Sequence, residues 1–86
     1  MALRAAAKER LDAMAGTLPH MTHQTAQDYN KPIRAFIEIY DSGDRESLQV
    51  DLVRVWAREA GFNDEVADEL AEMAETVSRT LRLIGR

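Results

Sequence analysis

Residues 63–84, NDEVADELAEMAETVSRTLRLI, decide the fold. Val66, Leu70, Met73, Val77, Leu81 and Ile84 follow one another at steps of four, three, four, four and three. A helix carries all six on one face. Asn63 is placed to cap it, because its side-chain oxygen accepts a bond from an orphan N–H of the first turn. Asp64 and Glu65 lie where the positive end of the helix dipole favours acids. Gly85 suits the left-handed position just past the end. Such a helix is about 33 Å long at a rise of about 1.5 Å per residue. Alone in water it is only marginally stable. Its apolar face must be covered by the rest of the chain or by a second copy.

Outward from that stretch, each apolar segment reads as something for this face to pack against. Residues 47–60, SLQVDLVRVWAREA, form a helix that Ser47 caps and Gly61 stops. Leu48, Leu52, Val55, Trp56 and Glu59 fall on one side, and Val53, Trp56, Ala57 and Ala60 on the next. Apolar residues thus cover most of its circumference, which predicts the most buried helix. Residues 32–41, PIRAFIEIYD, open with a proline suited to a first helical turn and end at Gly43. Residues 2–15 are rich in strong helix formers, carry the stripe Leu3, Ala7, Leu11, Met14, and stop at Gly16. Residues 17–31 show no period. A single turn from Thr25, with Asp28 reaching back, fits part of them. The expectation is one all-α domain over residues 1–86, a small compact bundle of three to four helices. The alternative is α-β-β-α with a hairpin at 33–56, because that region is rich in β-branched residues and DSGD reads as a turn. The spacing Leu48–Leu52–Val55 favours helix.

Composition removes several function classes. The chain has no cysteine, so it holds no disulfide, thiolate nucleophile or cysteine-bearing zinc site. Together with the lack of a secretory signal pattern, this predicts a cytoplasmic protein. No apolar run reaches membrane-spanning length. A net charge of −4 argues against direct nucleic-acid binding. No cofactor or metal is expected. His20 and His23, with Asp28, have a workable metal spacing, but two solvated loop histidines explain them. Ser47 lacks a G-x-S-x-G setting and a nearby histidine, so it is no nucleophile. Trp56, Tyr40, Phe36 and Phe62 read as core.

One resemblance centres on Ser47. Glu46-Ser47-Leu48, a following helix, and then FNDEVADELAEMAETV resemble the second half of an acyl carrier protein. That family bears phosphopantetheine on the serine of Asp-Ser-Leu at the start of its second helix. The resemblance implies that Ser47 is a phosphopantetheine attachment site. It spans about forty residues. Glu46 stands where the family has aspartate, the proline usual before the acidic turn is missing, and the first 46 residues do not share the pattern.

The acids of the last helix are the least expected feature. Glu59 to Ser78 holds seven acids and no lysine or arginine. Asp64/Asp68, Glu65/Glu69 and Asp68/Glu72 are like-charge pairs one turn apart, and within the helix only Glu75–Arg79 is favourable. A solvated face explains them in part. The sharper reading is a docking surface for a basic partner, with Asp68, Glu69, Glu72 and Glu75 steering encounter and Met21 and Tyr29 of the polar loop anchoring it. The expected function is therefore a non-enzymatic protein-binding module: an adaptor, regulator or inhibitor, of the size common among phage and mobile-element proteins. The alternatives are the carrier domain, and a structural subunit, such as a homodimer, that assembles through the 63–84 helix.

Overall fold

Helical spacing prevails over strand alternation in each apolar stretch. The computed structural model describes residues 3–17 and 30–86, and among them there are four α-helices and no strand. They are α1 (Ala5–Thr17), α2 (Asn30–Asp41), α3 (Val50–Glu59) and α4 (Asp64–Leu83), with a 3₁₀ turn at Glu46–Leu48 ahead of α3. The protein is the predicted all-α bundle, and the hairpin at 33–56 does not form. The reason lies in α2: its buried residues Pro32, Ala35, Phe36, Ile39 and Tyr40 keep a helical period and would face both ways on a strand. His20, Met21, His23, Thr25, Asp28 and Tyr29 lie outside the described residues.

α4 is the axis. It packs on both α3 and α2, and α1 packs on α2. The molecule measures 34 × 25 × 20 Å, so α4, about 30 Å long, runs nearly its full length. Asn63 caps it as predicted, its Oδ1 accepting the Val66 N–H at 2.8 Å. Val66, Leu70 and Leu81 are buried, and Met73 and Val77 pack at the margin of the core. Ile84 does not join them and is 64% exposed. A second buried stripe, Ala67, Ala71, Ala74 and Ser78, runs beside the first. These small side chains let a neighbouring helix come close.

α3 departs from its prediction in two ways. It begins at Val50, after an extended Gln49, so Ser47 is not its cap. Ser47 sits in the 3₁₀ turn instead, 2% exposed, its hydroxyl donating to Asp44 Oδ2 at 2.7 Å. Nor is α3 the most buried helix. It buries Val53, Trp56 and Ala57, but Val55 is 52% exposed and Glu59 and Ala60 face solvent. α3 lies at the edge of the bundle and rests on α4, so only one side of it is covered, whereas α4 has a helix on each side. At the other end of the chain Gly16 falls inside α1, which continues to Thr17 without a left-handed residue there.

The helix ends hold the bundle together. α3 stops at Gly61, whose φ of +100° only glycine adopts freely, and the Phe62 N–H returns to the Ala57 carbonyl at 3.1 Å. That return sets the Phe62 ring 6.1 Å from Trp56. α4 stops the same way at Gly85, with the Arg86 N–H on the Leu81 carbonyl at 2.9 Å. The Arg86 main-chain oxygen then accepts the Tyr40 hydroxyl at 2.8 Å and Arg45 at 3.0 Å, and the Arg86 guanidinium pairs with Asp41. The last turn of α4 is thereby fastened to the last turn of α2. A polar contact ties α1 to α3: the buried Trp56 donates its indole N–H to Asp12 Oδ1 at 2.9 Å. Asp12 also accepts Lys8 Nζ at 2.7 Å. Among the described residues no helix is long and apolar enough to cross a membrane.

Two expected outcomes follow from the Trp56 contact. Truncation of Trp56 to alanine empties a large core volume and unties α1, and should cost about 3–5 kcal/mol in urea unfolding. A variant that unfolds like the parent contradicts this packing. Asp12 supplies the second. The hydrogen bond from Lys8, and after it the one from Trp56, hold its carboxyl below the usual carboxylate range. A depressed folded value means the carboxylate stabilises the fold above pH ~4 and loses that effect as pH falls through the folded value. Asp12→Asn keeps an acceptor for Trp56 but not the charge. Its stability deficit should be full at neutral pH and close as the solution is acidified. A deficit independent of pH would show that the charge plays no part.

Candidate functional site

Helical geometry sorts the acids of α4 onto two flanks. Asp64, Asp68 and Glu75 lie on the flank beside α3. α3 runs antiparallel to α4 after a short connection, so its arginines, one turn apart, meet these acids in reverse order. Arg58 Nε lies 3.0 Å from Asp64, and Arg54 Nε lies 2.7 Å from Asp68 while also reaching Asp51 at 3.4 Å. Farther along, Arg79 pairs with Glu75 at 2.7 Å. These are exposed pairs, each worth a fraction of a kcal/mol, about 0.2–1. Their structural effect is to offset the like-charge repulsion between Asp64 and Asp68.

Glu65, Glu69, Glu72 and Thr76 follow at steps of four, three and four and occupy the opposite flank, toward α2. Next to them Met73 and Val77 leave part of their side chains uncovered, and Ile33 in the first turn of α2 faces them. Pro32 is buried at that turn and holds the entry of α2 in place. Together Ile33, Met73 and Val77 line an open groove of about 370 Å³, edged by Glu69, Glu72 and Thr76. Methionine adapts its shape to what it meets, which suits a contact surface.

The four acids predicted to bind a partner are therefore divided. Glu69 and Glu72 edge the groove. Asp68 is held by Arg54, and Glu75 by Arg79. The anchors predicted beside them, Met21 and Tyr29, lie outside the described residues. Ser47, the attachment point implied by the carrier-protein resemblance, is in the core and hydrogen-bonded to Asp44.

Two features escaped sequence reasoning. The first is the pairing of Arg54 and Arg58 with α4. Its only trace in sequence is two arginines one turn apart, followed by two aspartates one turn apart across a short break. The second is a pocket of about 390 Å³ where the start of α3 meets the C-terminal half of α4. Arg45, Arg79 and Arg82 all line it. Arg79 and Arg82 look, in sequence, like ordinary cations at a helix C-terminus. Nothing local links them to Arg45. The pocket requires the antiparallel packing of α3 on α4.

No family model matches this chain, and no curated protein or solved structure matches it. The functional reading therefore rests on geometry.

Proposed function

We propose that this protein is a non-enzymatic, cytoplasmic protein-binding module that acts by occupying a partner's surface, as an adaptor, regulator or inhibitor. The observation that carries this reading is the α2–α4 groove: an apolar floor of Ile33, Met73 and Val77 edged by Glu69 and Glu72. An apolar side chain of a partner enters the groove, and lysine or arginine residues flanking it meet the carboxylates. The desolvated contact sets the lifetime of the complex, and the exposed charge steers its formation. An open groove on a helix flank suits binding better than acid–base chemistry, which needs an enclosing cleft.

The test separates the two contributions. A partner retained by the immobilised protein from its native host is followed by binding kinetics at low and high salt. Glu69→Gln combined with Glu72→Gln should lower the association rate and flatten its salt dependence. Met73→Ala should mainly raise the dissociation rate. Asp68→Asn combined with Glu75→Gln should change the association rate less, because those carboxylates do not edge the groove. Unchanged rates for the Glu69/Glu72 variant at both salts would reduce the groove to ordinary surface.

A second reading, self-association, is favoured by one observation. Leu83 is 80% exposed and Ile84 64% exposed at the end of α4. Adjacent exposed apolar side chains form a contiguous patch, and large patches of this kind mark interaction sites. Sedimentation should give a mass that rises with concentration in the parent and stays monomeric in Leu83→Glu. A parent that is monomeric at high micromolar concentration removes this reading.

A further inference from the structure

We propose that the pocket between the start of α3 and the C-terminal half of α4 binds a phosphate monoester. Arg45, Arg79 and Arg82 enter it from two separate parts of the chain, with Glu75, Leu48 and Val50 among the other residues around it. Three cations and one carboxylate give it a local excess of positive charge, in a chain whose net charge is −4. Overall composition does not produce this cluster; packing assembles it.

Each guanidinium is already held in place. Arg45 lies 4.3 Å over the Tyr40 ring and donates to the Arg86 main-chain oxygen at 3.0 Å. Arg79 is held by Glu75 at 2.7 Å, and Arg82 donates to Ser78 Oγ at 3.2 Å. Each of these contacts uses few of the donors of a guanidinium, so most remain for a ligand. Three pre-positioned forks suit the oxygens of a phosphate, which accept paired N–H donors. A phosphate monoester carries a charge of about −1.5 to −2 at neutral pH, which balances the pocket. The apolar side chains of Leu48 and Val50 offer contact to the organic group of an ester, which a bare inorganic ion cannot use. Glu75 opposes the anion, so neutralising it should tighten binding.

This site does not depend on the α2–α4 groove, so either can fail alone. The experiment titrates the folded protein at constant ionic strength with phenyl phosphate and, separately, with inorganic phosphate, following arginine side-chain N–H resonances. Phenyl phosphate should shift the Arg45, Arg79 and Arg82 signals saturably and bind more tightly than inorganic phosphate. Arg79→Gln and Arg82→Gln should each weaken it about tenfold or more, the loss expected when one hydrogen bond to a charged group is removed. Glu75→Gln should tighten it. Arg34→Gln, at the separate basic depression between α1 and α2, should leave it unchanged. Circular dichroism confirms that each variant is folded. Absence of saturation, equal affinity for the two probes, weaker binding in Glu75→Gln, or equal losses in Arg34→Gln and Arg79→Gln would each overturn the proposal.

Discussion

The apolar side of α4 cannot be left in water, and the rest of the structure answers that constraint. A helix of 20 residues in a chain of 86 is long enough to be an axis and too long for any one of the other helices to cover. Coverage comes from two sides. α2 contributes Phe36, Ile39 and Tyr40 to the core, and α3 contributes Val53, Trp56 and Ala57. The alternation of large residues (Val66, Leu70, Leu81) with small ones (Ala67, Ala71, Ala74) on α4 lets both helices approach closely. The interior of a domain this small holds few spare contacts, which is why α1 relies on a polar tie from Asp12 to Trp56 as well as on Leu11 and Met14.

The same packing decides what each polar residue does. Acids that share a helix in sequence have different neighbours in space. On the α3 side, carboxylates meet arginines and become part of the scaffold. On the α2 side, Glu69 and Glu72 edge a groove whose floor is apolar. Reading α4 as one acidic rod merges these two settings. The division arises because α3 brings Arg54 and Arg58, one turn apart, against Asp68 and Asp64.

The signals legible in the sequence were those encoded locally. The helical periods, the Asn63 cap and the left-handed turns at Gly61 and Gly85 depend on a residue and its near neighbours, and all are present. Burial was read less well. α3 is apolar around most of its circumference, yet Val55 is exposed, because exposure depends on which helices lie alongside. Ser47 looked like a cap for α3, but a 3₁₀ turn intervenes and its hydroxyl turns back to Asp44. The groove and the arginine pocket were the least legible. Ile33 lies forty residues from Met73, and Arg45 lies thirty-four from Arg79. No periodicity connects residues so far apart. What brings them together is the docking of α2 and α3 on opposite sides of one helix.

That arrangement also gives α4 a charge gradient. Acids fill its first three turns, where the positive end of the dipole favours them, and Arg79, Arg82 and Arg86 gather at the other end. Local helix energetics explain the sign of this order. They do not explain why the arginines face a pocket while Glu69 and Glu72 face a groove, since an exposed side chain gains from the dipole on any flank. The flank is set by tertiary packing, and packing around a cluster of like charges works against stability unless an opposite charge is near. Arg79 has such a charge in Glu75, while Arg45 is held by the Tyr40 ring and the Arg86 main-chain oxygen, and Arg82 by the Ser78 hydroxyl. These contacts fix the orientation of the guanidinium groups. The packing thus gathers three guanidinium groups and one carboxylate around a single pocket, and that local charge is the electrostatic condition for an anion to bind there.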